Sequence, residues 1–302
     1  MGVQIPITQT FLLPDGREVI METGKLAAQA HGSAMIRLGD TMLLATVVSN
    51  KEAKEGQPFF PLSVDYQEKF ASVGRVPGNF FRRETRLSDY EILISRLVDR
   101  AVRPLFPDGY MNETQIIINL ISADKDIMPD ALAALAASTA LSVSDIPWDG
   151  PISEVRVARI DGQFVVNPGR EALATADLDV IIAATIKDIM MVEGEANECS
   201  EHDLIEAIRI GHDAIKVQCQ AQIDLAKKVG AKATQKRVLA EAPSDDDLKK
   251  VIDQFSRQRI LEISKGALEK SVRKEGFDTI KKELVAKLTE EKGEEYMKEK
   301  AA

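Results

Sequence analysis

The chain begins as a series of short apolar runs broken by tight turns. Phe11-Leu12-Leu13 and Glu18-Val19-Ile20-Met21 flank Asp15-Gly16, and the runs Ala34 to Leu38 and Thr41 to Val48 are parted only by Gly39-Asp40. Apolar runs joined by such turns predict hairpins in an antiparallel sheet. Leu62 to Tyr66 alternates as a further strand, and Ile116 to Ile121 reads as a buried one. Val155 to Ile160 and Phe164 to Val166 form another hairpin about Asp161-Gly162, followed by strands at Leu178 to Thr185 and Ile189 to Val192. Between them the pattern predicts two helices. Ser88-Asp89-Tyr90-Glu91 fits a capping box, in which serine and glutamate reciprocally satisfy free amide donors. That helix should run to about Val102, because Pro104 cannot continue it. Ala131 to Leu141 is an alanine-rich helix suited to close packing.

From Ser200 the period becomes helical. Ser200 to Asp203 caps a long helix whose apolar positions include Leu204, Ile205, Ile208, Ile215 and Val217. A linker is expected around Ala242-Pro243, after which Ser244 caps a helix with Asp245, Asp246 and Asp247 in its first turn and a stripe of Leu248, Val251, Ile252 and Phe255. From Lys281 to Lys300, lysines and glutamates balance, as on a solvated helix face. The expected organisation is an α+β core over residues 1–240 and an all-helical domain over 241–302.

Composition narrows the function. A chain of 302 residues with 44% hydrophobic residues can build a sizeable core. Its net charge of −9 argues against a general nucleic-acid coat, so any polyanion site must be a local basic patch. The two cysteines, Cys199 and Cys219, lack metal-ligand spacing and read as buried thiols in a reducing cytoplasm. Neither a secretory leader nor a long apolar span is evident, so no membrane partner is expected.

One basic patch stands out. Between Arg75 and Arg103 seven arginines (75, 82, 83, 86, 96, 100, 103) face four acids, Glu84, Asp89, Glu91 and Asp99. Within it, Phe80-Phe81-Arg82-Arg83 puts two aromatics beside two guanidinium groups on a glycine-flanked turn, the chemistry that stacks bases and grips phosphates of a single strand. Arg96, Arg100 and Arg103 share one helix face; from spacing alone, ion pairs with Asp99 and Asp89 compete evenly with phosphate contact. Asp124, Asp126 and Asp130 form a D-x-D-x-x-x-D run that could hold Mg²⁺, but capping by Asp130 and loop structure are favoured. His31, His202 and His212 are scattered, without evident partners.

These segments together resemble the bacterial polynucleotide phosphorylase family. The residues that carry the resemblance are Val64 to Lys69, Gly78 to Glu84, Ser88 to Arg100, Arg103 to Pro107, Met128-Pro129-Asp130, Ser144 to Pro147, Gly150-Pro151-Ile152, Asp161-Gly162, Met190 to Gly194, Ala207-Ile208 and Gly211-His212. The resemblance implies a ribonuclease-PH-like α+β core, with a mixed sheet and packed helices, followed by an all-α domain. It implies part of a 3′→5′ phosphorolytic exoribonuclease that acts on single-stranded RNA, with inorganic phosphate as co-substrate. Mg²⁺ and the catalytic residues are expected in a second core that this chain lacks, so no catalytic residue is assigned here; the alternative is an inactive RNA-binding ring subunit of exosome type. Phe80, Phe81, Arg82, Arg83 and Arg86 match the family's RNA-gripping channel loop, and Arg96, Arg100 and Arg103 match arginines along the RNA path. A homotrimeric ring and degradosome-type proteins are the implied partners, in the cytoplasm. Thr85 and Leu87 stand where many relatives have glycine and proline.

Overall fold

The computed structural model describes residues 5–54, 56–78, 86–239 and 245–300. The chain divides into two compact units, Met1–Lys54 with Phe59–Leu239, and Glu55–Pro58 with Ala240–Ala302.

The first unit holds two sheets. In the larger, β1 (Ile7–Leu12), β2 (Glu18–Thr23), β3 (Gly32–Leu38), β4 (Thr41–Ser49), β5 (Leu62–Glu68) and β6 (Thr114–Ser122) lie in the order β1-β2-β3-β4-β6-β5. The Gly39-Asp40 turn closes the β3–β4 hairpin, with Leu38 opposite Thr41. The sheet is nevertheless mixed, because β5 pairs parallel with β6. A parallel neighbour needs a crossover, and helix α1 (Asp89–Val102) lies in that connection. The second sheet is antiparallel, with β7 (Ser153–Ile160), β8 (Gln163–Val166), β9 (Leu178–Ala184) and β10 (Ile189–Ala196) in the order β10-β9-β7-β8.

Helix α2 (Asp130–Ser142) packs against β3, β4 and β6 of one sheet and β7 of the other. Every residue from Asp130 to Leu141 is buried, which is why its composition is apolar all round rather than striped. Its alanines permit a close crossing over β3. A Cβ on Gly32 would lie 2.0 Å from the carbonyl oxygen of Ala140, so only glycine fits there. After the short helix α3 (Arg170–Leu173), helix α4 (Glu201–Val229) covers the second sheet with the expected Ser200–Asp203 capping box. Its buried face differs from the expected stripe: Ile205 and Val217 are 66% and 50% exposed, while Ala207, Gly211, Gln218, Gln222 and Leu225 are buried. Small residues bring the helix close, and the glutamines serve as polar bridges. Ser138 Oγ donates to Gln222 Oε1 at 2.6 Å, Gln222 Nε2 donates to the Ile152 carbonyl at 2.7 Å, and the Ile152 amide donates to Ser138 Oγ at 3.0 Å. This closed triangle satisfies its buried groups and ties α2 to α4.

Helix α5 (Ala231–Thr234) ends the first unit's regular structure. The second unit contains α6 (Asp246–Lys265), α7 (Lys270–Lys292) and α8 (Glu294–Lys300). The cap of α6 is Asp245, whose side chain accepts from the Leu248 amide; the expected cap, Ser244, lies outside the described residues. The Asp245 carboxylate adds its charge to the positive helix end. Arg259 and Lys287 lie over the Phe255 ring at 5.2 and 5.4 Å. Cys219 is buried against β9, and burial pushes its thiol up to about 12. Cys199 is only half-buried, which corrects the expectation of two buried thiols, because it precedes α4 in a surface turn. Among the described residues, no helix is long and apolar enough to cross a membrane.

Candidate nucleic-acid interface

Helix α1 carries the basic row, and the sheet edge explains how it is held. Strand β5 is an edge strand, so one side of its backbone lacks a neighbouring strand. Side chains of α1 take its place. Ser95 Oγ accepts from the Tyr66 amide at 2.9 Å, and Glu91 Oε1 accepts from the Glu68 amide at 2.7 Å. Glu91 also completes the capping box, accepting from Ser88 N and Oγ through Oε2 at 2.7 and 2.8 Å. At the other end, Arg103 donates to the carbonyls of Phe60 and Leu62, both at 3.1 Å, and forks onto Asp99 at 2.7 and 2.9 Å. The apolar face of Ile94, Leu97, Val98, Ala101 and Val102 is buried beneath.

This geometry separates the arginines that spacing groups together. Arg103 is held by Asp99 and the strand carbonyls, and it lies 5.7 Å from the Phe60 ring centre. Arg100 is exposed and pairs with Glu193 of β10. Arg96 is exposed and makes no contact with any carboxylate among the described residues, with Ile92 and Leu93 exposed beside it. Arg86 is likewise exposed and has no partner among the described residues, just ahead of the helix. Phe80, Phe81, Arg82 and Arg83 lie outside the described residues.

Arg86 also borders a cleft of about 590 Å³ at the carboxyl ends of the parallel strands β5 and β6, where the amino end of α1 opens. Lys69, Lys125 and Arg170 line it together with Arg86. Sequence reasoning treats Lys125 only as a neutraliser of its acidic neighbours and does not single out Lys69 or Arg170; no local spacing connects four cations from separate segments. Glu68, on the same wall, accepts from Tyr66 Oη at 2.8 Å. Burial raises its carboxyl pKa, with the Tyr66 bond and the charge of Arg170 opposing that shift.

The three aspartates do not form a metal site. Asp124 Oδ1 accepts from the Asp126 amide at 2.9 Å, closing a loop. Asp126 rests against Gly169, where an added Cβ would come within 2.4 Å of the carboxylate. Asp130, expected as the cap of α2, is instead inside its first turn, 1% exposed, and paired with Arg156; Pro129 occupies the cap. The buried guanidinium holds one carboxylate oxygen, and the other accepts from the adjacent Ala131 amide at 2.8 Å. Among the described residues no three acids, histidines or cysteines cluster as metal ligands, so the donor set here does not fit Mg²⁺. Arg156 also pairs with Asp179, and these two carboxylates outweigh burial to raise its pKa. Glu154, beside this group, is 1% exposed, and neither of its oxygens has a hydrogen-bond partner. Burial drives its carboxyl pKa well above the ordinary range. His31 and His212 do have partners: Nδ1 of His31 accepts from the Ser49 amide at 3.0 Å, and Nε2 of His212 contacts the Thr185 carbonyl at 3.0 Å.

Comparison with known proteins places this geometry. Residues 15–147 match the first domain, and residues 150–214 the second domain, of the 3′ exoribonuclease family. The chain belongs to that family. The first match spans β2 to β6 with α1 and α2, the second spans β7 to β10 and the start of α4, and the cleft draws on both, since Arg170 belongs to the second. The chain is 54% identical to the polyribonucleotide nucleotidyltransferase of Cytophaga hutchinsonii over 283 residues, covering 93% of this chain and 39% of that protein. It is also 54% identical to the namesake from Bacteroides fragilis over 291 residues, covering 96% of this chain and 41% of that protein. The chain therefore spans about two-fifths of the length of these relatives. A solved structure described as the Archaeoglobus fulgidus exosome with RNA bound to the active site shares the fold, with TM-score 0.52 and 18% identity, over 67% of this chain and 89% of that one.

Proposed function

We propose that this chain is the strand-holding part of a polyribonucleotide nucleotidyltransferase, an enzyme that degrades single-stranded RNA from its 3′ end by phosphorolysis. The observation that carries this reading is 54% identity across more than nine-tenths of the chain to proteins of that name. In such a reaction, phosphate oxygen attacks the terminal phosphodiester and the 3′ nucleotide leaves as a nucleoside diphosphate; the shortened strand regains its 3′ hydroxyl. Catalysis of that kind depends mainly on positioning and charge stabilisation. Mg²⁺ and the phosphate site are assigned to another part of the enzyme, since Asp130 here is held by Arg156 and Asp124 by a backbone amide.

The side chains proposed for the RNA path are Phe80, Phe81, Arg82, Arg83, Arg86, Arg96 and Arg100. Unpaired Arg86 and Arg96 have guanidinium forks free for phosphate oxygens. Arg103 contributes by fixing the helix to the sheet edge, and it would have to release Asp99 before gripping a phosphate itself. Assembly as a homotrimeric ring, contact with degradosome-type proteins and a cytoplasmic setting complete the proposal. The second reading, an RNA-binding core that is itself inactive, is favoured by the closed Asp130–Arg156–Asp179 pairing where a catalytic centre would need free carboxylates.

The deciding experiment follows poly(A) breakdown by the enzyme that contains this chain, with and without inorganic phosphate. Phosphate-dependent release of ADP is expected, and Arg82→Ala with Arg83→Ala should weaken strand binding and flatten its salt dependence. Release of AMP without phosphate would overturn the phosphorolytic reading, and an unaltered salt series would overturn the role of the loop.

A further inference from the structure

We propose that the cleft between β5, β6 and the amino end of α1 is a binding site for a nucleoside phosphate, with Arg86, Lys125 and Arg170 holding its phosphate oxygens. The inference rests on the geometry of the cleft and not on the phosphorolytic reading.

The cations come from three separate segments, and Arg170 acts on Glu68 through charge alone, without a direct contact. Among the described residues, the side chains of Arg86, Lys125 and Arg170 make no hydrogen bond or ion pair. Elsewhere in this acidic chain Arg156, Arg159 and Arg237 each find carboxylates. The acids that line the cleft are already committed. Both oxygens of Glu91 accept protein donors, Asp124 accepts from a backbone amide, and Glu68 accepts from Tyr66. The cleft wall thus carries four cations, Lys69, Arg86, Lys125 and Arg170, against three hydrogen-bonded carboxylates. The 14-residue helix α1 opens into the same space and adds the positive end of its dipole.

Size and the remaining wall fit a nucleotide better than a bare anion. About 590 Å³ accommodates a small ligand, not a duplex or a protein segment. Val73, Leu87 and Ile127 add apolar surface to the lining, against which a base can lie. The lining thus offers apolar surface for a base and cations for phosphate within one cleft. A free nucleoside diphosphate and the terminal nucleotide of an RNA strand share this chemistry.

The test is calorimetric titration of the 302-residue chain with ADP, adenosine, inorganic phosphate and a short oligo(A). ADP should bind, with adenosine and phosphate each at least tenfold weaker. Lys125→Ala with Arg170→Ala should weaken ADP binding at least tenfold while the melting temperature holds. Arg96→Ala, outside the cleft, should leave ADP binding unchanged yet weaken oligo(A), which separates this site from the strand path. Competition of oligo(A) with ADP at the cleft would identify the RNA terminus as the source, and its absence a free nucleotide. No ADP binding at millimolar concentration, or binding indifferent to the double substitution, would overturn the proposal. Phosphate binding as tightly as ADP would overturn the nucleotide assignment.

Discussion

Replacing Glu154 by glutamine should stabilise the protein, and by an amount that grows with pH. Glu154 is 1% exposed on β7, and neither carboxyl oxygen has a hydrogen-bond partner. Facing it are Asp130 of α2, which disfavours its charge, and Arg156 of β7, which favours it but is already shared with Asp130 and Asp179. The folded state therefore holds the proton well above the ordinary carboxyl value of 4.5, where the unfolded chain releases it. In that window the folded state binds more protons than the unfolded one, so stability is complete below the ordinary value and falls as pH rises. The slope for one proton is about 1.4 kcal/mol per pH unit, continuing until the carboxyl ionises within the fold. Glutamine keeps the shape and removes the titration. Urea unfolding followed by the fluorescence of Trp148, the sole tryptophan and 8% exposed, reads the difference at pH 5, 6, 7 and 8. The stability advantage of Glu154→Gln should widen as pH rises from 5, up to the pH at which the buried carboxyl ionises. An advantage that is flat or shrinks with rising pH would refute the reasoning, because it would mean that Glu154 is charged in the fold throughout.

Three further outcomes follow from the packing. Gly32→Ala should cost about 1–3 kcal/mol or more in the same urea assay, since its Cβ meets the Ala140 carbonyl at 2.0 Å; wild-type stability would refute the close crossing of α2 over β3. Arg96→Ala should weaken single-stranded RNA binding and reduce the salt slope by about 0.7 without moving the melting temperature, whereas Arg103→Ala should lower stability by about 1–3 kcal/mol by removing the donor to the Leu62 carbonyl and to Asp99 and one of two donors to the Phe60 carbonyl. Equal effects of the two on the melting temperature would contradict their separation. Native alkylation by iodoacetamide at pH 8 should label Cys199 and spare Cys219, whose thiol burial pushes up to about 12; equal labelling would contradict that burial.

Local rules make much of the fold legible. The Gly39-Asp40 hairpin and the capping boxes at Ser88 and Ser200 follow from residues within three positions of one another. The burial of α2 follows from an apolar composition on every side. What spacing cannot reveal is pairing over distance. Arg156 reaches Asp130 across 26 residues and Asp179 across 23, which takes Asp130 out of its expected cap. The i, i+4 row of arginines is visible in the sequence, but its division into held Arg103, paired Arg100 and free Arg96 depends on β5 and β10, which are remote in the chain. The misread stripe of α4 has a related cause: alanine, glycine and glutamine form a buried face through close approach and side-chain bridges, neither of which hydropathy records. The four cations of the cleft are likewise assembled by topology alone.

The seal that α1 places over β5 bears on how copies of the molecule can meet. An open strand edge offers its amides and carbonyls to any extended chain, and recruiting a partner there requires no side-chain match. At this edge Ser95 and Glu91 occupy the amides of Tyr66 and Glu68, and Arg103 occupies the carbonyls of Phe60 and Leu62. Association along β5 by backbone pairing is thereby blocked, so recognition on this side falls to side chains, which discriminate among partners. The same three residues guard solubility: replacing them would uncover a template for chain-to-chain strand growth.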